Sequence, residues 1–355
     1  MNTKKDQLNV YIGPNALNEF LDPEKYPILP LVELPDSLNP LHKDGVHIYA
    51  KLLNLLPLGN VKAISAYSMI HSGELKNKQA IIEYSSGNTI FSAAAIAKTF
   101  GVKRAKTLIS HEAFWSRIQT LRFLGVEVTV HKEPVYPKVR DPRSGIYRVQ
   151  NLAKQLEYFC LRQYENQANP DAHEKLTGPQ IWQQLGKKLH VFCAGMGTTG
   201  TILGTSKYLK SRNKKITTIG VTRTVDSPVP GVRSKPRLNL IDYNWQPFVD
   251  HLEEVGLKES YTLSLKMCRE GILVGPSSGF ALAGLINFLK KQKKNKTLAK
   301  LKNGKKNIHA VFICCDGPFQ YLDEYFDYVD PKLFPPVKNS HLLANQRHID
   351  YHKHR

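Results

Sequence analysis

The chemistry in this chain concentrates in one lysine and three short loops of glycine and hydroxyl residues. Lys62 closes Gly59-Asn60-Val61-Lys62 and heads a small-residue segment of helical character, 63–69. A lysine held out of water gives up its proton readily, and its neutral amine then adds to a carbonyl as a Schiff base. Ser85-Ser86-Gly87-Asn88-Thr89 joins a strand-like run, 79–84, to a helix predicted over 89–100. Short hydroxyls and free N–H groups at a helix N-terminus hold a carboxylate or a phosphate. Gly197-Thr198-Thr199-Gly200-Thr201 has the same character: its glycines let the backbone approach an anion, and its threonines donate to the anion's oxygens. Gly275-Pro276-Ser277-Ser278-Gly279 follows an apolar segment and precedes a helix predicted over 280–288. There Ser277 or Ser278 either caps that helix, or Ser277 presents its hydroxyl to a ring nitrogen of a bound ligand.

The Gly/Thr loop has a rival reading. Gly195-Met196-Gly197-Thr198-Thr199-Gly200 formally matches the dinucleotide fingerprint. That fingerprint calls for an acid about 20 residues on, at the end of the next strand. Here that strand ends Gly220-Val221-Thr222-Arg223, without one. The loop is not a nucleotide-triphosphate cradle either, because no Gly-Lys-Ser/Thr follows it.

These loops need rigid supports, and the surrounding pattern supplies them. Strands are predicted over 80–84, 105–110, 126–131, 189–194, 216–221 and 309–314. Helices are predicted over 89–100, 112–124, 147–160 and 202–210. Regular alternation of this kind builds parallel sheets covered by helices on both faces. Ligands in such sheets bind beyond the carboxyl ends of strands, where the loops at 85–88 and 197–201 fall. The predicted fold class is α/β, two parallel-sheet domains with a cleft between them. Residues 1–50 form an N-terminal segment packing on the larger domain. The smaller domain takes 51–167, the larger 168–330, and a tail 331–355. Residues 166–170 are the expected hinge, and 140–145 a loop.

Composition agrees with a soluble enzyme of this size. The chain has 355 residues, of which 41% are apolar, enough for a sizeable core. No apolar run approaches the roughly 20 residues that span a bilayer. The first ten residues are polar, without the apolar stretch of a secretory signal, and the expected location is the cytoplasm. Five cysteines, none paired as CxxC, read as free thiols in a reducing compartment. The net charge of +20 is partly concentrated between Lys290 and Lys306, which hold nine lysines and no acid. No arginine or aromatic interleaves with them, so a solvated helix end is favoured over nucleic-acid binding. No metal site is expected. His348 and His352 stand four apart, with His354 beyond them, in a terminal tail that reads as unstructured.

Taken in order, the motifs resemble the cysteine synthase/cystathionine β-synthase family of pyridoxal phosphate (PLP) enzymes, with the tryptophan synthase β-like fold. The resemblance runs from about residue 28 to 322. Pro30-Leu31-Val32-Glu33-Leu34 and Ile48-Tyr49-Ala50-Lys51-Leu52 resemble the family's early segments. Gln163-Tyr164-Glu165-Asn166-Gln167-Ala168-Asn169-Pro170 with Thr177-Gly178-Pro179-Gln180-Ile181-Trp182 is the most distinctive match. The sequence departs from the family at Ala63, Ser85, Ile90 and Thr199. It also lacks the usual Gln-Gly-Ile-Gly segment, and Pro230-Gly231-Val232-Arg233-Ser234-Lys235-Pro236 occupies that region.

The resemblance implies roles. Lys62 would hold PLP and remove the substrate's α-proton. Asn88 would face the cofactor's 3′-oxygen. Gly197, Thr198, Thr199, Gly200 and Thr201 would cradle its phosphate, and Ser277 would meet its pyridine nitrogen. Ser85, Ser86, Gly87, Thr89 and Gln163 would bind the substrate carboxylate. A serine at the pyridine nitrogen leaves the ring unprotonated, a weaker electron sink that suits loss of a β-substituent. The implied activity is β-replacement on an activated serine, O-acetylserine or O-phosphoserine, by way of an aminoacrylate that sulfide or another nucleophile attacks. Synthesis of cystathionine or a diamino acid, a serine/threonine dehydratase-like lyase, and a non-catalytic binding protein are the alternatives. Arg223, Arg233 and Lys235 are candidates for holding an anionic substrate or leaving group. The family also implies a homodimer.

Overall fold

The computed structural model of the protein describes residues 9–85, 87–132 and 141–344. Its strands are β1 (Leu31–Glu33), β2 (Val46–Leu52), β3 (Ala80–Tyr84), β4 (Arg104–Ser110), β5 (Val126–His131), β6 (Phe159–Cys160), β7 (Leu189–Gly195), β8 (Thr217–Arg223), β9 (His251–Val255) and β10 (Ile308–Cys314). They form a six-stranded sheet, ordered β1-β2-β10-β7-β8-β9, and a four-stranded sheet, ordered β5-β4-β3-β6. Every pairing is parallel except β1 with β2. The central strands read as apolar runs, interrupted only by His190 and His309, because helices cover both their faces: Leu189–Gly195 and Ile308–Cys314 are buried almost throughout. The edge strand Val126–His131 alternates apolar with polar and exposes Glu127, Thr129 and Val130.

The helices are α1 (Ala16–Leu21), α2 (Lys62–His71), α3 (Asn88–Thr99), α4 (Trp115–Phe123), α5 (Gly145–Gln155), α6 (Ala168–Lys175), α7 (Thr177–Leu185), α8 (Gly200–Arg212), α9 (Leu257–Arg269), α10 (Pro276–Lys294), α11 (Leu298–Leu301) and α12 (Leu322–Tyr328). One core fills the space between the large sheet and α10, around Val191, Ile219, Phe280 and Phe312. A second, around Ile181, Phe192, Ile202 and Val311, lies on the opposite face. A third joins α2 and α3 to the four-stranded sheet through Met69, Ile81, Ile90 and Ile109. In α8 a side chain on Gly204 would collide with the Pro170 carbonyl, so glycine sets the close approach of α8 to α6.

Several predicted elements shift. The helix expected over 147–160 ends at Gln155, because Glu157 turns into the left-handed region with φ 53°, and 159–160 add an edge strand. The helix expected from 112 begins at Trp115. The expected hinge at 166–170 runs into α6, whose Ala168 start is fixed by Asn166 accepting the Ala168 N–H. β9 and α9 were not anticipated. The N-terminal segment divides between the sheets. β1 and β2 join the large sheet, whereas α1 lies on the small one, with Asn18 donating to Thr99 and accepting from Tyr67. The tail contains two 3-10 turns, Pro331–Leu333 and Ser340–Leu342; His348, His352 and His354 lie outside the described residues. The five cysteines are free. The lysine-rich stretch comprises the last turn of α10, α11 and the turn before β10; within it Lys291 pairs with Glu253 and Lys293 with Asp44. No helix among the described residues is long and apolar enough to cross a membrane.

Candidate active site

One cleft gathers most of the residues singled out by sequence. Lys62, Ser85, Gly87, Asn88, Thr89, Gln163, Gly197, Thr198, Thr201 and Ser277 all line it. Thr199 and Gly200 lie behind that lining, and Ser86 lies outside the described residues. The walls come from both sheets: the loop after β3 faces the loops after β7 and β10.

Lys62 is the first residue of α2, set by its own N–H donating to Asn60 Oδ1 at 3.0 Å. Burial pushes its amine below the ordinary lysine value, opposed by the nearby Cys315 and Asp316. The amine forms no ion pair among the described residues, so nothing holds the proton there by contact. A deprotonated lysine on a cleft wall is the state that adds to a carbonyl.

The residues expected to bind a carboxylate are joined to one another. Thr89 donates to Gln163 Oε1 at 2.8 Å, and Gln163 Nε2 donates to the Tyr84 carbonyl at 3.0 Å. Gly87 caps α3, and a side chain there would meet nothing within 4 Å, so this glycine leaves space beside the cleft. Beneath the loop, Glu83 is buried, and desolvation raises its carboxyl to about 7.

The Gly/Thr loop opens α8. Thr199 takes the N-cap place with φ 68°, the left-handed conformation that favours glycine. Thr198 Oγ1 accepts from Asn169 Nδ2 at 3.0 Å, and Asn169 Nδ2 also donates to the Gln163 carbonyl at 2.8 Å. Asn169 thus ties the two loops together. Thr201 Oγ1 lies 3.1 Å from His173 Nε2, and the other ring nitrogen lies 2.9 Å from Thr177 Oγ1. Desolvation drops this buried histidine to about 3, so it stays neutral. Sequence reasoning missed both Asn169 and His173, although Asn169 stood inside the most distinctive motif.

Ser277 is the second residue of α10, after Pro276, and neither it nor Ser278 caps the helix; Gly275 holds the N-cap place. Ser278 accepts the Cys315 N–H at 3.1 Å, and Ser277 Oγ sits 3.5 Å from Asp316 Oδ1. Asp316 was also missed. It follows β10 and carries no local signal beyond its charge. Its side chain receives Asn88 Nδ2 at 2.6 Å, Tyr321 OH at 2.5 Å and Gln320 Nε2 at 3.1 Å.

The rim is basic. Arg223, Arg233 and Arg237 line the cleft together with Arg117, and the acids on the lining are Glu112 and Asp316. The Arg223 guanidinium donates to the Val225 and Ser227 carbonyls at 2.8 and 3.0 Å, and Arg233 lies over the Tyr164 ring at 4.6 Å. Lys235, expected among these cations, is exposed and off the lining; its place is taken by Arg237. The replacing loop is anchored by Arg233 N–H to the Met196 carbonyl at 2.8 Å.

The donor set fits PLP. A desolvated lysine would serve the aldehyde, the N-terminus of α8 with the Thr198 and Thr201 hydroxyls would serve a phosphate, and the Ser277 hydroxyl lines the same cleft. Comparison with known proteins agrees. Cysteine synthase B of Escherichia coli is 34% identical over 267 residues, covering 74% of this chain and 85% of that protein. The O-acetylserine dependent cystathionine beta-synthase of Bacillus subtilis is 28% identical over 263 residues, covering 70% and 83%. In fold, the crystal structure of O-ureido-L-serine synthase superposes with a TM-score of 0.70 over 89% of this chain and 96% of that one, at 21% identity. The family model described as pyridoxal-phosphate dependent enzyme matches residues 26–301, and the chain belongs to that family.

Proposed function

We infer that this enzyme replaces the β-substituent of an activated serine, in the manner of a cysteine synthase. The observation that carries the reading is the placement of Lys62, Asn88, the Gly/Thr loop and Ser277 on one cleft. PLP, when bound, supplies an electron sink that acidifies the substrate's α-carbon. Lys62 binds the cofactor and, released by the incoming amino acid, takes the α-proton at its Nζ. Its depressed pKa keeps that atom free to accept. Ser85, Gly87, Thr89 and Gln163 orient the substrate carboxylate, and Ser86 belongs to the same loop. Asn88 and Ser277 would hold the polar edges of the ring, and residues 197–201 would hold the phosphate. Ser277 would offer the ring nitrogen a neutral hydroxyl rather than a carboxylate, a partner that would leave it unprotonated and favour departure of a β-substituent over transamination.

The rim arginines refine the substrate. Four arginines on the lining, Arg117, Arg223, Arg233 and Arg237, against two carboxylates, Glu112 and Asp316, favour an anionic partner, either a phosphate leaving group or a nucleophile carrying its own acid. O-phosphoserine is therefore the first donor to try beside O-acetylserine.

The test is the visible absorption of the purified protein. A Schiff-base band present in the native protein, absent from Lys62→Ala and shifted by one of the two serine esters supports the reading. A native protein that cannot be loaded with PLP overturns it, and a band unmoved by any β-substituted amino acid overturns the β-replacement assignment.

A further inference from the structure

The opposite end of the large sheet carries a second constellation. Glu33 ends β1, His47 is the second residue of β2, and His42 sits in the 3-10 turn His42–Asp44 that leads into β2. The cleft lies beyond the carboxyl end of β10, whereas these residues cluster at the amino end of its neighbour β2, with the sheet between. One donor atom from each of Glu33, His42 and His47 lies within 4.8 Å of the others.

We propose that Glu33, His42 and His47 form a site for a divalent transition-metal ion of the zinc class. The ligand types are right: two imidazoles and one carboxylate are a common zinc set that leaves a position for water. The geometry is right in kind. The His42 and His47 rings stand at 89° with centroids 5.4 Å apart, so their nitrogens approach one point from different directions. His47 Nδ1 and Glu33 Oε1 lie 2.5 Å apart in a direct hydrogen bond, which a metal between them would open and replace. Donors around a tetrahedral zinc lie roughly 3.3 Å apart, given bonds of about 2.0–2.1 Å. Reaching that spacing requires Glu33 to move away from His47 and His42 to settle beside them, and the half-exposed side chains of Glu33 and His42, 43% and 40% exposed, have the room to do so.

The surroundings also match. Asp36 Oδ1 lies 2.7 Å from His42 Nδ1, the carboxylate–histidine arrangement that fixes an imidazole's tautomer and presents its other nitrogen. His47 is held from behind by His309 of β10, stacked at 5.0 Å and 14°. His309 is itself fixed by Tyr49, whose hydroxyl lies 3.0 Å from its Nδ1. A ligand ring braced on one face and open on the other loses little freedom when a metal binds. A bound ion would clip the end of β1 and the turn before β2 to β2 itself, closing the sheet's antiparallel edge.

The full-length holoenzyme, freed of metals by chelator and kept reduced, is titrated calorimetrically with zinc chloride, and its cobalt(II) spectrum is recorded. One equivalent should bind, at least tenfold more weakly in Glu33→Gln and more weakly still in His42→Asn/His47→Asn. The cobalt bands should lack the thiolate charge-transfer absorption of a cysteine site. A full-length His348→Gln/His352→Gln/His354→Gln variant should bind as the native protein does. Absence of binding, a thiolate band, or loss of binding in the tail variant alone overturns the proposal. If the double histidine variant does not fold, Glu33→Gln decides, because this exposed edge side chain leaves the core untouched; unchanged affinity there overturns the assignment.

Discussion

Asn88 and Asp316, 228 residues apart in sequence, are joined across the cleft by an amide-to-carboxylate hydrogen bond of 2.6 Å. The same carboxylate stands 3.5 Å from Ser277 and close enough to Lys62 to raise its pKa. One buried acid therefore touches two of the residues assigned to the cofactor ring and biases a third. It acts on the chemistry through them, as a positioning residue.

Asp316→Asn should keep the shape and remove the charge. Without that charge Lys62 falls further below the ordinary lysine value, so its amine is neutral at lower pH. The acid limb of the pH profile for loading PLP into the apoenzyme should move down. The kcat for β-replacement should fall about tenfold with little change in KM, because the substrate carboxylate is held elsewhere. An unmoved acid limb would show that Asp316 does not act on Lys62.

Arg233→Ala tests the charge at the rim. A guanidinium that meets a phosphate dianion contributes about 1.5–3 kcal/mol, roughly a tenfold to hundredfold effect. The KM for O-phosphoserine should rise at least tenfold, while that for O-acetylserine changes less than twofold. Equal changes for both esters would assign Arg233 to the fold through Tyr164 rather than to the substrate.

Glu83 predicts a pH dependence of stability. Its carboxyl is raised from 4.5 to about 7 by burial, so the folded protein holds a proton that the unfolded chain has lost between these values. The stabilisation is fully present below 4.5 and is lost as pH rises through 7, a difference of ~3 kcal/mol. Glu83→Gln should remove this slope in urea unfolding and gain most over the native protein at pH 8. A native stability that rises between pH 5 and 8 by the same amount in both proteins would contradict the assignment.

Glu324 in α12 accepts two hydrogen bonds from Arg117 of α4, at 2.8 and 3.0 Å, and the Tyr261 hydroxyl of α9 also reaches it. Glu324→Gln leaves the Arg117 guanidinium without its counter-charge in a buried place, a loss of about 3–5 kcal/mol. The melting temperature should drop by about 4–7 °C. Arg117→Met/Glu324→Met, which removes both charges, should recover much of that loss.

What sequence could tell was local. Lys62, the three loops and the central strands are each announced by neighbouring residues: glycine and hydroxyls at strand ends, and apolar runs between them. What it could not tell was decided by distant partners. Asp316 is one acid among thirty until Asn88, Gln320 and Tyr321 close on it. His173 reads as a helix-end cation until burial under Thr201 makes it neutral. The helix from Gly145 stops before Glu157 without a glycine, because the left-handed turn there falls on a residue that normally avoids it. Lys235 and Arg237 are equivalent in composition, and only the 3-10 turn Lys235–Leu240 turns one outward and the other to the cleft. Gly59-Asn60-Val61-Lys62 was legible as a site, but the acid and tyrosine behind it, Asp316 and Tyr321, were not.

Gly197 is bare because the Gly231 carbonyl occupies the place where its side chain would be. The loop that carries the rim arginines therefore rests directly on the loop assigned to the phosphate, with Arg233 hydrogen-bonded to Met196 beside it. At that point the two loops share one volume, and neither moves by the width of a methyl group without displacing the other. Any coupling that this contact carries between the floor and the rim is thermodynamically reciprocal: the factor by which a cofactor on the first loop changes ligand affinity at the second is the factor by which that ligand changes cofactor affinity.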